Sequence, residues 1–177
     1  MFCNNGGPLD INLVTGALER GWPCFSSKGS EQQATFVVNC CHMEKPPGFS
    51  SKHLGVHPDY LTWFVKQQKH RDIITLLTAS LRHAFVNQKR MISVIFVDYN
   101  GRLGSLAAAK CLAECFHRDE RLSLATVSII HTKEEGACDE PELCKFWTRK
   151  WSTTNIAMMQ VWWDWKNHQD GMPLIAT

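Results

Sequence analysis

A short turn near the middle of the chain carries residue types that bind anions. Asn100, Gly101, Arg102 and Ser105 lie between a strongly apolar segment and a helical pattern. A glycine-bearing turn that opens a helix directs backbone N–H groups at an anion, and the arginine adds a positive charge. These four residues are therefore the predicted anion-binding site. The Gly-Lys-Ser/Thr ending of a nucleotide-binding P-loop is missing, so a plain tight strand-to-helix turn is the alternative interpretation.

Other groupings of chemistry-bearing residues give weaker signals. His57 and Asp59 flank Pro58, a pattern more typical of a helix entry than of a catalytic pair. No serine lies in the Gly-x-Ser-x-Gly elbow of a hydrolase. One set of potential metal ligands has a spacing that matches no common zinc module: Cys111, Cys115, His117, Cys138 and Cys144. We therefore predict a non-enzymatic protein with no catalytic residues, no metal and no cofactor.

The eight cysteines raise the question of disulfides. Disulfide frameworks belong to secreted proteins, and residues 1–12 have neither the apolar run nor the basic lead-in of a secretory signal. Cys40 and Cys41 are adjacent in a predicted strand and so point to opposite faces. No apolar run approaches membrane-spanning length. We expect an intracellular reducing compartment, the mitochondrial matrix or the cytoplasm, and no membrane association.

The turn is embedded in an alternation of predicted strands and helices. Continuous apolar runs are typical of strands covered on both faces, and apolar residues three and four apart are typical of helices. The predicted strands are 22–28, 34–41, 91–97 and 122–130, and the predicted helices are 60–65, 72–85 and 103–116. This order predicts a three-layer α/β fold, with a mostly parallel sheet and flanking helices.

Three parts of the chain are distinguished by composition. Residues 1–21 are predicted to be an N-terminal extension, 22–135 the α/β domain, and 136–177 a Trp-rich C-terminal extension.

The distribution of charge and tryptophan indicates where a partner would bind. The formal net charge is only +2, but residues 45–90 are predominantly basic, which favours a polyanionic partner unless it is simply a solvated helix face. Tryptophan beside basic residues can stack on single-stranded bases or anchor an interface, unless the tail fills its own core. The predicted contact residues for RNA or a protein partner are Lys66, Lys69, Arg71, Lys89, Arg90, Trp147, Arg149, Lys150, Trp151, Trp162, Trp163 and Trp165.

The segment Ile95–Leu112, which includes the turn, resembles the C-terminal domain of RapZ. In that bacterial family the turn reads Cys-Thr-Gly-Gly-Lys-His-Arg-Ser and precedes a helix. The segment Phe36–Pro46 is similar to a family strand Phe-Val-Phe-Asp-Val-Arg that ends in Pro-Asn-Pro-His. The resemblance covers about residues 22–135 and depends on element order and spacing. It implies an α/β fold, sensing of an amino-sugar phosphate and binding of small RNA.

The departures from the family pattern concern its ligand pocket. Gly101, Arg102 and Ser105 keep the chemistry of the turn. Loss of a bidentate arginine removes a major phosphate contact, so a small-molecule ligand is not expected. The departing positions are Tyr99-Asn100 for Thr-Gly, Gly104 for the arginine, Asn39 and Cys41 for the strand Asp and Arg, and Pro47 for the histidine.

The combined prediction is a non-enzymatic RapZ-like domain that binds RNA or is a structural component of a ribonucleoprotein assembly, such as an organellar ribosome. Two alternatives stay open. One is a sensor of a small phosphorylated ligand that uses the altered turn. The other is a protein–protein adaptor that uses the Trp-rich tail.

Overall fold

Four parallel strands form the sheet of this computed structural model, which describes residues 9–20, 33–50, 53–119, 125–131, 158–159, 161–163 and 166–167. The strands are β1 (Asp10–Ala17), β2 (Gln33–Asn39), β3 (Met91–Asp98) and β4 (Thr126–His131). The helices are α1 (Pro58–Lys66), α2 (Gln68–Val86) and α3 (Gly104–Arg118), with a 3-10 turn at Leu18–Arg20. The predicted strand 22–28 lies outside the described residues.

The strand order in the sheet is β2-β3-β1-β4, and every pairing is parallel. A parallel sheet with flanking helices was predicted and is confirmed, and it is consistent with a three-layer α/β fold. β3 lies between β2 and β1, and Ile92–Asp98 are all buried. The carboxyl ends of β1, β2 and β3 meet at one edge of the sheet, where the candidate turn begins.

The N-terminal segment differs from the prediction. Residues 1–21 were expected to form an extension, but Asp10–Ala17 is an inner strand that pairs with both β3 and β4. Ile11, Leu13 and Val14 are almost completely buried. Because this strand mixes polar residues among its apolar ones, its sequence shows neither the alternation nor the continuous apolar run that identifies strands. The α/β domain therefore begins before residue 22.

β2 also differs from the prediction, because it was expected to be covered on both faces. It is the edge strand of the described sheet, and Val37 is 53% exposed. Val38 is buried, and Phe36 packs against the core. The run of apolar residues in 34–41 reflects strand propensity rather than two-sided burial.

The core of the domain lies mainly on one face of the sheet. Ile92, Val94 and Phe96 alternate along β3 and so point to that face, where they join a cluster to which α1, α2 and α3 all contribute. A smaller cluster of Val14, Ile95 and Val97 lies on the opposite face. Fully burying a large apolar side chain stabilises a fold by about 1.5–3 kcal/mol, so these contacts fix the helices against the strands.

Part of the predicted C-terminal extension also belongs to this core. Residues 158–159, 161–163 and 166–167 are helical. Met158 and Val161 are buried in the main cluster, and Trp162 packs against it. The Met158 sulfur lies 3.7 Å from the Cys111 sulfur on α3. This part of 136–177 packs back on the domain. Among the described helices, none has the length and apolar character needed to cross a membrane.

Candidate functional site: the turn after β3

The turn after β3 is closed by a side chain of its own. Asp98, the last residue of β3, is 6% exposed. Its Oδ1 accepts a short hydrogen bond from the Gly101 N–H, and its Oδ2 accepts one of 2.9 Å from the Ser105 N–H. The Arg102 N–H donates to Asn100 Oδ1 at 3.0 Å. Three backbone donors of the turn, those of Gly101, Arg102 and Ser105, therefore bind carboxylate and amide oxygens within the turn.

Asp98 also stabilises the start of α3. The N-cap residue Leu103 offers no side-chain acceptor to the helix, and the first N–H groups of a helix need acceptors from elsewhere. Asp98 supplies one to Ser105, and its negative charge is favourable near the positive end of the helix dipole. The carboxylate thus occupies the position that the dipole would otherwise offer to a ligand anion.

Close backbone contacts hold the turn rigidly. Gly101 adopts φ +68°, and an added Cβ would lie 3.2 Å from Ala17. The Gly55 N–H donates to Arg102 O at 2.7 Å, and a Cβ on Gly55 would lie 1.9 Å from Leu103 O. Gly55 therefore has to be glycine, since that contact is with backbone.

Gly104, at the position where the RapZ pattern has an arginine, is packed closely against the loop that follows β2. A Cβ at this position would lie 3.0 Å from the Met43 Cβ and 3.2 Å from Cys40 O. The space that a longer side chain would need is taken by the loop that follows β2. That loop begins with a similar closure, because Asn39 Oδ1 accepts the Cys41 N–H at 2.9 Å. Two neighbouring strands thus end in Asx side chains that bind their own backbone.

The side chains around the turn carry little nucleophilic or acid–base chemistry. Cys40 and Tyr60 are buried, and burial together with the nearby Asp98 carboxylate raises the pKa of both groups. Burial raises the pKa of Cys111 on α3 to about 12, so its thiol is protonated at neutral pH. The Ser105 Oγ is buried without a hydrogen-bond partner. Within the described residues, no three His, Cys, Asp or Glu side chains are grouped to hold a metal ion.

The other predicted pocket residues have different surroundings. Tyr99, one of the positions that depart from the RapZ pattern, is 65% exposed. His57 Nδ1 accepts the Asp59 N–H at 3.1 Å, so this pair caps the start of α1, as the helix-entry interpretation predicted.

The predicted basic contact residues form two separate groups. Lys66, Lys69 and Arg71 lie where α1 meets α2, whereas Lys89 and Arg90 directly precede β3. Lys69 and Arg71 lie in the first turn of α2, and residues 72–86 of that helix separate them from the second group, which corresponds to about 22 Å of helix. The two groups therefore do not form one patch, and any contact with both requires an extended partner.

Internal bonds engage part of the first basic group. Lys69 Nζ lies 2.8 Å from Glu44 Oε1 and lowers the pKa of that carboxyl group. Arg71 donates to Val65 O at 2.7 Å and also to Gln68 Oε1. Lys66 is exposed in the last turn of α1. Sequence alone could not show the pairing with Glu44, which is 25 residues away from Lys69.

Two of the tryptophans that were predicted to contact a partner lie among the described residues. Trp162 packs against the core, whereas Trp163 is 49% exposed with Lys166 Nζ 5.7 Å from its ring centroid. Five of the predicted contact residues lie outside the described residues: Trp147, Arg149, Lys150, Trp151 and Trp165.

Sequence reasoning missed Asp98 as the residue that organises the site. The available signal was an aspartate at the end of a strand, three residues before a glycine and six before the first helical residue. Asp and Asn at such positions commonly bind nearby backbone N–H groups.

Comparisons of this chain with protein-family models, with curated proteins and with solved structures found no match. The resemblance to the RapZ C-terminal domain thus stays a prediction from the residues quoted above.

Proposed function

We propose that this chain is a non-catalytic RNA-binding domain that acts as a component of a ribonucleoprotein assembly in the mitochondrial matrix or the cytoplasm. The observation that carries the proposal is the closed turn. Asp98 takes the N–H groups of Gly101 and Ser105, so the position best suited to a small phosphate is filled. The remaining features suited to a polyanion are the basic residues at the two ends of α2.

The separation of these basic groups favours a long partner over a small one. Residues about 22 Å apart along α2 cannot contact one phosphorylated metabolite together. An RNA strand carries phosphates at regular intervals and can bind both ends of the helix, with Lys and Arg neutralising its backbone. Contacts of this kind position a nucleic acid without selecting its sequence.

Quantitative RNA binding as a function of salt tests the proposal. A single-stranded RNA is titrated into the full chain, and Lys66→Glu and Lys89→Glu are compared with Lys110→Glu. Lys110 is the matched control because it lies on α3, where its Nζ is 2.8 Å from Glu114, and its substitution changes the net charge equally. Each lost phosphate contact lowers the slope of log K against log salt by about 0.7.

We expect Lys66→Glu and Lys89→Glu to weaken binding and reduce the slope, and Lys110→Glu to do neither. Absence of binding at low salt, or equal weakening by all three variants, would overturn the proposal. Calorimetry with phosphorylated sugars tests the sensor alternative. Heat of binding from the wild-type protein at concentrations below the millimolar range would favour that alternative.

The adaptor function is a second candidate because Trp163 is exposed, whereas its neighbour Trp162 is partly buried against the core. Exposed tryptophan is enriched among residues that dominate protein interfaces. If the chain is an adaptor, Trp163→Ala releases it from large particles on a density gradient without changing RNA binding by the isolated protein. Unchanged comigration of that variant counts against the adaptor.

A further inference from the structure

The junction between α1 and α2 is held by side chains that cap the end of α1. The last carbonyl groups of a helix have no partner inside the helix. His70, in the first turn of α2, places Nδ1 3.2 Å from Phe64 O, and Arg71 Nη1 donates to Val65 O at 2.7 Å. Because a carbonyl can only accept, His70 carries its proton on Nδ1. The first turn of α2 thus closes the last turn of α1.

His70 is enclosed by aromatic rings. It is 1% exposed, stacks on Phe64 at a centroid distance of 4.5 Å, and meets the Trp63 ring edge-on at 5.3 Å. Its Nε2 is buried and has no hydrogen-bond partner. The neutral ring tolerates this position, since an unprotonated nitrogen is only an unused acceptor.

Charged groups near His70 come from two elements. Glu44, in the loop after β2, and Lys69, on α2, act on it with opposite sign and are paired with each other at 2.8 Å. From α1 the packed groups are the rings of Trp63 and Phe64, and the charge of that helix end is Lys66, which is exposed. Glu44 is already paired with Lys69, and Arg71, the next residue on α2, adds a positive charge that donates to Val65 O. A charged imidazole therefore has no carboxylate of its own to pair with.

We propose that His70 is a proton-sensitive latch, which holds the end of α1 against α2 while its ring is neutral and releases it when the ring is protonated. Protonation would place an N–H donor at Nε2 without an acceptor and a positive charge in an apolar contact. Both changes are costly in a buried site. Release exposes Nε2 to water and removes both costs, so proton uptake is coupled to opening of the joint.

The direction of this coupling follows from the buried state. Burial lowers the pKa of His70 in the closed joint, whereas an exposed imidazole has a pKa of about 6.5. The open state therefore binds more protons than the closed state, and the closed state loses stability as the pH falls below about 6.5. Between about pH 7.5 and about pH 5.5, the opening equilibrium rises by up to about tenfold.

The latch has a functional consequence that depends on the proposed RNA binding. Lys66 is the last residue of α1, and Lys69 lies in the first turn of α2, so opening the joint changes the spacing of the first basic group. RNA contacts at this end of α2 would then weaken on acidification, although the phosphodiester groups of RNA do not titrate over this pH range.

Hydrogen exchange of the RNA-free full chain tests the latch separately from RNA binding. Exchange of the α1 amides, corrected for the intrinsic pH dependence, is compared between the wild type and His70→Gln at about pH 7.5 and about pH 5.5. We expect α1 of the wild type to exchange faster than β3, which needs global unfolding, and to accelerate by up to about tenfold on acidification. His70→Gln should abolish the acceleration, because glutamine can donate to Phe64 O but does not titrate.

His83→Gln is the matched control, since His83 is exposed near the other end of the same helix, and it should leave the acceleration intact. His70→Phe provides a second non-titrating variant that keeps the aromatic packing. Exchange of the wild-type α1 amides that does not change with pH, or that is no faster than exchange of β3, would refute the latch, and so would persistence of the acceleration in a folded variant lacking His70. Loss of RNA binding alone would bear only on the proposed function.

Discussion

Replacing Asp98 tests whether the turn after β3 depends on its own carboxylate. In Asp98→Ala, the Gly101 and Ser105 N–H groups lose their acceptors in a position that is almost completely buried. A hydrogen bond to a charged group contributes about 1.5–3 kcal/mol. Two such bonds give about 3–5 kcal/mol when some relaxation of the turn is allowed, a large part of the about 5–15 kcal/mol that stabilises a typical domain.

Asp98→Asn removes the negative charge of the side chain but keeps nearly the same shape. The amide keeps one oxygen acceptor, but its NH₂ group faces the second backbone donor, so we expect a loss of about 1.5–3 kcal/mol. The measurement is urea denaturation followed by circular dichroism, with the midpoint and slope compared across variants. Asp72→Asn is the control because Asp72 is an exposed aspartate on α2, and it should change stability by less than about 0.5 kcal/mol.

A loss below about 1 kcal/mol in Asp98→Ala would refute the reasoning, because the two buried N–H groups would then have to be satisfied without the carboxylate. A complementary measurement follows the midpoint as phosphate is added. The truncated side chain should leave room for an anion, so Asp98→Ala should be stabilised by phosphate more than the wild type is. Equal stabilisation of both proteins would also contradict the closed turn.

Two further predictions concern packing, and thermal denaturation measures both. Gly55→Ala should destabilise the domain by more than about 2 kcal/mol, because the added Cβ would collide with Leu103 O. Gly48→Ala is the control, since Gly48 has φ +74° but open space around it, and this substitution should cost only about 1 kcal/mol. Trp162→Ala should lower the free energy of unfolding by about 2–4 kcal/mol, whereas Trp163→Ala should change it by less than about 1 kcal/mol. Equal losses of stability at the two tryptophans would show that Trp162 does not pack against the core.

The elements that the sequence predicts well are those with one dominant local signal. β3 is a continuous apolar run and was predicted within one residue of its observed bounds. α2 has apolar residues repeating at three and four, so its end was found within one residue, but it begins at Gln68, four residues before the predicted start. β1 was missed because Asp10, Asn12 and Thr15 interrupt its apolar residues. An inner strand with these residues is stable only because neighbours on both sides supply its pairing, and such long-range partners leave no local pattern.

The candidate site was likewise predictable only in part. The local sequence predicts where the turn and its glycines lie, but it does not show that the Asp98 carboxylate binds the N–H groups of the turn. Whether Asp98 faces solvent or its own backbone depends on how Gly55 and the loop after β2 pack against the turn. Likewise, the basic residues were visible in the sequence, but their division into two groups depends on the direction of α2.

The closed turn also sets a cost on any sensor of small phosphates that uses it. A ligand anion would have to displace the Asp98 carboxylate from the N–H groups of Gly101 and Ser105. If this exchange costs about 3–5 kcal/mol, the affinity for the ligand falls by a factor between about a hundred and several thousand. New contacts would have to recover that loss, and a longer side chain at Gly104 would first have to displace Met43, whose Cβ would lie 3.0 Å from the added Cβ. A surface that binds a polyanion through the ends of α2 carries a smaller penalty, because only the exposed ion pair of Lys69 and Glu44 has to open. The same carboxylate that makes a ligand unnecessary for folding therefore favours a constitutive binding domain over a sensor.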